Sequence, residues 1–331
     1  MAGGYGAVGV HVVETVAGWF PGRVVPAGRD LARAARLAGT LGAAGGGAAR
    51  VDVADAAGFA RVLEEHAIGV VVLCVEPPDA TIARLCLSRG VHLVDVGASD
   101  ALLAQVEELE PANATAVLSV GVAPGLTNLL ARRACDVLGG AERIDLTVLL
   151  GAGERHGADA VRWTVAQLAA HAEGSPLRVA LPGFGARTAH PFPFSDQHSL
   201  RRTLGVPLVT TRLCLDSAPL TGALFAMRRA ARHAGVRRAL TGVLSRVHLG
   251  DDRFAVRADA YLGGKHVAYA LAGRAQSRYT ALVAAHVTRA LLGGGLPPGV
   301  HHLDQLPALA SIPEDLGLVV EDALEIDRMS F

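Results

Sequence analysis

The sequence predicts an α/β fold: a doubly wound parallel sheet, followed by an α+β second domain with a mixed or antiparallel sheet. Three observations carry this. The first third alternates short apolar runs with amphipathic, helix-length stretches. A glycine-rich turn opens the chain, and its later part sets two strands on either side of a tight turn. At 331 residues, 51% of them hydrophobic, the chain suits two domains and can bury a large core.

Taken in order, Arg23–Ala27, Ala49–Val53, Val70–Val75, His92–Val96 and Thr115–Val120 read as strands. Between them His11–Gly18, Asp30–Leu41, Asp55–His66, Asp79–Arg89 and Ala101–Leu109 read as helices, which places helices on both faces of a parallel sheet. The Gly/Ala-rich stretch Leu37–Ala49 reads as a surface loop. From Leu126 the pattern changes to a helix Leu126–Leu138, a strand Arg143–Leu150, a helix Ala158–Ala172 and then Pro-rich, irregular chain. Strands Val209–Leu215, Phe254–Tyr261 and Val267–Ala272 follow, the last two flanking a hairpin turn at Gly263-Gly264-Lys265-His266. A helix Ser277–Leu292 ends at the glycines from Gly293. These shifts divide the chain into a doubly wound domain, residues 1–124 and 275–331, and a second domain, residues 125–274.

Composition narrows the function. With 31 basic and 31 acidic residues the net charge is zero, and no basic block offers a footprint for nucleic acid. Cys74, Cys86, Cys135 and Cys214 are scattered without a CxxC pair, so neither a disulfide scaffold nor a zinc site is expected, and a reducing cytoplasm fits. His301 and His302 lack metal-ligand spacing, and no metal is expected. The longest uncharged stretch, Pro111 to Ala131, contains Asn113, Pro124, Gly125 and Asn128, which argues against a membrane span. The N-terminus has no basic region and carries His11 and Glu14, so it is no signal peptide. Lys265, the sole lysine, sits in the hairpin turn and reads as a solvated residue rather than a Schiff-base nucleophile.

The opening turn, Gly4-Tyr5-Gly6-Ala7-Val8-Gly9, is a GxGxxG that leads into a helix. In a dinucleotide (Rossmann-type) fold the first glycine makes the turn and the second admits the pyrophosphate. The third lets helix pack on strand, while the helix N-terminus offers free N–H groups to phosphate. Gly4, Gly6, Ala7, Val8 and Gly9 are therefore expected to bind a cofactor, with Asp52, Val53, Cys74 and Val75 from later strand ends. About 20 residues on, an NAD enzyme carries an acid for the ribose 2′-hydroxyl. Here Ala27-Gly28-Arg29-Asp30 stands instead; Asp30 is placed to N-cap the next helix, which leaves Arg29 for a 2′-phosphate. NADP is the expected cofactor.

One feature conflicts with this reading. Only Met1-Ala2-Gly3 precede the turn, where the central strand should stand. Its loss would orphan buried backbone groups on two neighbours, at about 1–3 kcal/mol each. Either the natural start lies about 5–8 apolar residues upstream, the length of a short strand, or another segment fills the gap; the first is the expectation.

Four segments go beyond generic dinucleotide binding: Gly3 to Gly9, Pro26 to Asp30, Val91-His92-Leu93-Val94-Asp95-Val96, and Gly121-Val122-Ala123-Pro124-Gly125-Leu126-Thr127-Asn128. In that order they resemble the saccharopine dehydrogenase-like NADP oxidoreductases over residues 1–135. Gly153-Glu154-Arg155-His156-Gly157 with Trp163, and Phe194-Ser195-Asp196-Gln197, look like its less characterised members; Ser277–Leu292 resembles a returning helix that packs on the cofactor domain. The resemblance implies hydride transfer at a carbon bearing nitrogen. The short second domain departs from saccharopine reductases, which puts saccharopine in doubt as substrate.

Such a reduction needs a proton donor near the strand ends. Asp95 is one candidate, its alternative role being to hold strand-end backbone. His156, in a strand-to-helix turn, and Asp196, in the ring- and proline-rich segment His190 to His198, are the others. Pro124, Asn128, Arg155, Trp163 and His198 are the expected substrate contacts, with Arg187, Arg201 and Arg202 able to hold a carboxylate. The expected function is an NADP-dependent reductase of an imine or carbonyl, on an amino-acid-derived or specialised-metabolism substrate held between the domains. The alternatives are an enoyl or carbonyl reductase of a biosynthetic pathway and a non-catalytic NADP-binding protein. The partner is a small molecule; a homodimer is left open.

Overall fold

The computed structural model describes residues 1–154, 157–170, 172, 174–244, 246 and 250–324. The chain divides into two units, Met1–Gly121 with Thr280–Ile312, and Val122–Tyr279 with Pro313–Phe331. The tail from Pro313 thus differs from the expected division, which placed all of 275–331 with the first domain. Its strand Glu321–Asp322 pairs with Lys265–Arg274, and Glu314 meets Arg133 at 2.6 Å.

In the first unit a parallel sheet runs in the order Ala49–Arg50, Ala27–Gly28, the Met1–Gly3 segment, Val70–Leu73, His92–Asp95, Thr115–Leu118 and Gly299–His302. Counted along the chain this is the doubly wound order, 3-2-1-4-5-6, with one added strand. Three residues fill the central position. The Ala2 N–H donates to the Val72 carbonyl and its own carbonyl accepts from Cys74, both at 2.9 Å. On the other side the Ala27 N–H donates to Met1 O at 3.0 Å, and the Met1 ammonium donates to Val25 O at 3.0 Å. The neighbouring strands therefore find partners beside a single bridging residue.

Helices Ala7–Trp19, Leu31–Thr40, Ala56–Glu65, Thr81–Ser88 and Asp100–Glu107 alternate with these strands. The expected loop from Leu37 is helical to Thr40 and continues as a short 3-10 turn, Gly42–Ala44. The strand expected over Arg23–Ala27 shrinks to Ala27–Gly28; Pro26 has no N–H to give a ladder. Val71, Leu73, Leu93, Ala116 and Leu118 alternate into a core with Phe59, Leu63 and Leu103. The helix Gln276–Leu292 packs on this unit, where His286 meets the Trp19 ring edge-on at 5.2 Å and Arg289 lies 4.5 Å over it. Its first N–H groups, at Gln276 and Ser277, are held by the Glu154 carboxylate at 2.7 Å within the second unit.

The second unit is a mixed sheet in the order Glu321–Asp322, Lys265–Arg274, Arg253–Leu262, Arg143–Leu150, Leu208–Leu215, Gly185–Pro191 and Leu177–Leu181. Arg143–Leu150 and Leu208–Leu215 run parallel; the other pairs are antiparallel. The segment expected to be irregular holds the hairpin Leu177–Leu181/Gly185–Pro191 and the helix Asp196–Thr203. Gly263 and Gly264, both at positive φ, turn the predicted hairpin.

The two outermost strands fold back toward each other. On the strand Arg253–Leu262 the buried Arg257 forks onto Asp259 at 2.6 and 2.8 Å and donates to Ala180 O and Ala323 O, at 3.1 and 3.4 Å. One guanidinium therefore links the strand Leu177–Leu181 to the segment just past Glu321–Asp322, and Ala180, Ala268, Ala270 and Ala323 pack beside it. Among the described residues no helix is long and apolar enough to cross a membrane.

Candidate functional site

The carboxyl ends of the first unit's strands carry the site. The glycine turn is built by close approach. Gly3 has φ +75°, and a Cβ there would lie 2.5 Å from the Val75 side chain. A Cβ on Gly9 would run into the Gly3 carbonyl oxygen and come within 2.8 Å of Gly4 Cα. Gly6 and Ala7 are exposed, and the helix Ala7–Trp19 begins with no side-chain cap and no acid in its first turn. Its leading N–H groups, at Ala7 and Val8 above all, are open to a phosphate, and the helix dipole favours that charge. These residues fit a dinucleotide.

Beside the turn, the end of the strand Ala27–Gly28 is lined by Tyr5, Arg29, Asp30 and Arg33. Asp30 caps the helix Leu31–Thr40 as expected, accepting from Arg33 N–H at 3.1 Å. Arg29 is exposed and, among the described residues, meets no carboxylate. Asp52 is exposed and accepts from the Ala54 N–H at 3.0 Å in a local turn, with the half-buried Val53 beside it. That hydrogen bond gives Asp52 a local structural use.

Asp95 ends the strand His92–Asp95 at 1% exposure. Its Oδ1 accepts from Gly97 N–H at 2.7 Å, whereas Oδ2 has no hydrogen-bond partner among the described residues. Burial, with the nearby Glu76 carboxylate adding repulsion, pushes its pKa up to about 6 despite the Gly97 hydrogen bond. Next to it Cys74 has its thiol pushed up to about 12 by burial, so it stays protonated and inert as a nucleophile. The strand end thus offers one buried carboxyl with a free oxygen.

In the second unit the predicted residues are mostly engaged in its own core. Asp196 is fully buried; its oxygens accept from Thr211 Oγ1 at 2.6 Å and Thr127 Oγ1 at 3.0 Å. Burial raises its pKa to about 6, and the two hydrogen bonds tie its own helix, Asp196–Thr203, to the helix Thr127–Leu138 and the strand Leu208–Leu215. Asn128 is fully buried too. Its Oδ1 accepts from Gly125 N–H at 3.0 Å and its amide donates to Ser199 Oγ at 3.2 Å, so it orders the turn after the buried Pro124 rather than reaching a substrate. Trp163 packs against Phe192 and Phe194, with centroids 5.9 and 5.5 Å away, and its indole N–H has no acceptor among the described residues. His198 is half-buried beside the Gln197 amide at 3.2 Å. Arg201 donates to Val209 O at 2.9 Å and Arg187 to Ala186 O at 3.1 Å. Arg155 and His156 lie outside the described residues.

Sequence reasoning missed a buried chain in the first unit. The ring of His302 bridges Ser119 Oγ, at 2.8 Å from Nδ1, and Glu107 Oε1, at 2.7 Å from Nε2. Ser119 follows the strand Thr115–Leu118 at φ +55°, a conformation uncommon for serine. The chain fastens this strand end to the return strand Gly299–His302, with Ser119 0% and His302 3% exposed.

The parallel sheet, its strand order and the open glycine turn define a dinucleotide-binding unit. Residues 2–117 match the family model described as saccharopine dehydrogenase NADP binding domain. Over these residues the chain is similar to the saccharopine dehydrogenase-like NADP-binding domain, and the cofactor this match supports is NADP. The match supports an NADP-dependent oxidoreductase in general terms.

Proposed function

We propose that this chain reduces an imine or carbonyl group with NADPH, on an amino-acid-derived or specialised-metabolism substrate, and that Asp95 supplies the proton. The observation that carries the reading is the Asp95 carboxyl: buried at a strand end of the NADP-binding unit, with one oxygen fixed by Gly97 and the other free. Bound NADPH supplies a hydride to the carbon of the double bond. The chain's own residues do the rest. The glycine turn and the leading N–H groups of Ala7–Trp19 bind the pyrophosphate, and Arg29 takes the 2′-phosphate. Gly97 fixes Oδ1, which leaves the unbonded Oδ2 to carry the proton for the nitrogen or oxygen of the substrate. A carboxyl raised to about 6 keeps that proton well above the ordinary carboxylate range, which suits a general acid.

NADPH oxidation with carbonyl compounds alone and with added amines tests this. Amine-dependent turnover supports the imine reading, and equal turnover without amine favours the carbonyl one. NADPH binding with no turnover across both sets would leave a cofactor-binding protein and end the reductase proposal. Asp95→Asn should lower turnover by about 10²–10⁴-fold while NADPH affinity stays within about twofold.

A further inference from the structure

We propose that Arg33, held on the ring of Tyr5, is a second cation of the adenosine 2′-phosphate subsite and decides, with Arg29, between NADPH and NADH. The inference rests on the reading of Arg29 given above and extends it to residues of the glycine turn and the following helix.

The Tyr5 ring occupies the space over Gly28, where an added Cβ would lie 2.6 Å from its hydroxyl. That hydroxyl accepts from the Asp30 N–H at 2.9 Å, so the ring is fixed at both ends of the strand-to-helix turn. The Arg33 guanidinium lies 4.5 Å over the ring, and its Nη2 donates to the Tyr5 carbonyl at 3.4 Å. Among the described residues neither the Arg29 nor the Arg33 guanidinium is in an ion pair with a carboxylate. An exposed arginine ordinarily loses rotamer freedom when it grips a phosphate; stacking on Tyr5 has already spent part of that freedom.

The charge balance requires the second arginine. Arg29 alone stands next to the Asp30 carboxylate, and the pair carries no net charge toward an incoming dianion. Arg33 is on the first turn of the following helix, and its own N–H donates to the exposed Asp30 carboxylate at 3.1 Å. With both arginines the strand end is net positive and can grip a phosphate in the forked geometry that guanidinium groups favour. Tyr5 then has two tasks: it walls the adenosine side of the turn and holds Arg33 in place.

Titration of NADPH and NADH by cofactor fluorescence, on the unmutated chain and on Arg33→Met, Arg33→Lys and Tyr5→Leu, tests this. Arg33→Met should weaken NADPH about tenfold and leave NADH within about twofold. Arg33→Lys should recover part of the loss, since charge without the fork is retained. Tyr5→Leu should weaken NADPH several-fold by releasing Arg33. Displacement of bound NADPH or NADH by 2′-phospho-ADP-ribose and ADP-ribose, followed by the loss of cofactor fluorescence, removes any contribution of the nicotinamide. Arg33 is exposed, so its variants should keep the unmutated melting temperature, which is measured alongside. Equal losses for NADPH and NADH in Arg33→Met, or no loss for either, overturn the proposal. If Arg29→Met erases the preference while Arg33→Met does not, Arg33 is excluded and the Arg29 reading stands. If the unmutated chain binds both cofactors equally, both fall.

Discussion

Replacing Asp95 with asparagine should make the protein more stable at neutral pH and less active. The buried carboxyl has its pKa raised from 3.8 to about 6, so the folded state resists ionisation. At roughly 1.4 kcal/mol per pH unit, ionised Asp95 costs the fold about 3 kcal/mol above pH 6. Asparagine keeps the 2.7 Å bond from Gly97 through its carbonyl oxygen and carries no charge. It also places an amide N–H where Oδ2 stood, with no acceptor, at about 1 kcal/mol. The net gain is about 1–2 kcal/mol at about pH 8. The sign follows from linkage. A raised carboxyl pKa means the folded state keeps its proton longer than the unfolded chain, so stability falls as pH rises from about 4 to about 6. Near pH 4 the folded Asp95 is neutral and the unfolded one about half ionised, so most of the penalty is gone and the asparagine variant should show little gain or a small loss. Thermal melts of both proteins near pH 4 and pH 8 isolate the term, because Asp196 titrates alike in both. A variant destabilised equally at the two pH values would refute the reasoning.

Other perturbations have defined outcomes. Gly9→Ala drives a Cβ into the Gly3 carbonyl and should abolish NADPH binding in a fluorescence titration, with a lower melting temperature. Arg257→Met removes the fork on the buried Asp259 and both carbonyl contacts; denaturant titration should show a loss of about 3–5 kcal/mol, and a loss below about 1 kcal/mol would count against the strand-bridging role. His302→Phe removes the partner of the buried Ser119 hydroxyl and should cost about 1–3 kcal/mol in chemical unfolding.

The glycine turn and the Asp30 cap were legible because each is a local geometry with a fixed residue spacing. The hairpin at Gly263 and Gly264 was legible for the same reason, since both positions need positive φ. The hairpin Leu177–Leu181/Gly185–Pro191 was not. Its prolines read as irregular chain, and its partner is Arg257, 77 positions from Ala180, which no local alternation reveals. Asp196 looked like a catalyst because an acid among rings and histidines reads as a binding loop. Its oxygens are instead satisfied by Thr211, 15 positions on, and Thr127, 69 positions back. His302 was weighed only for metal spacing, although its partner Ser119 lies 183 positions away. Tyr5 and Arg33 escaped notice because a ring inside a glycine turn and an arginine on an exposed helix each have an ordinary reading alone. Met1 and Ala2 make the central strand's hydrogen bonds to Val25, Ala27, Val72 and Cys74, a pairing that three residues without alternation do not announce.

The proposed reaction couples hydride transfer from NADPH to a proton from Asp95. NADPH deuterated at the transferring nicotinamide position, incubated with a carbonyl and an amine, should yield an amine carrying deuterium at the former carbonyl carbon. The rate should fall as pH rises past about 6 in the unmutated chain and lose that dependence in Asp95→Asn. An unlabelled product, or a pH profile identical in the two proteins, would contradict it.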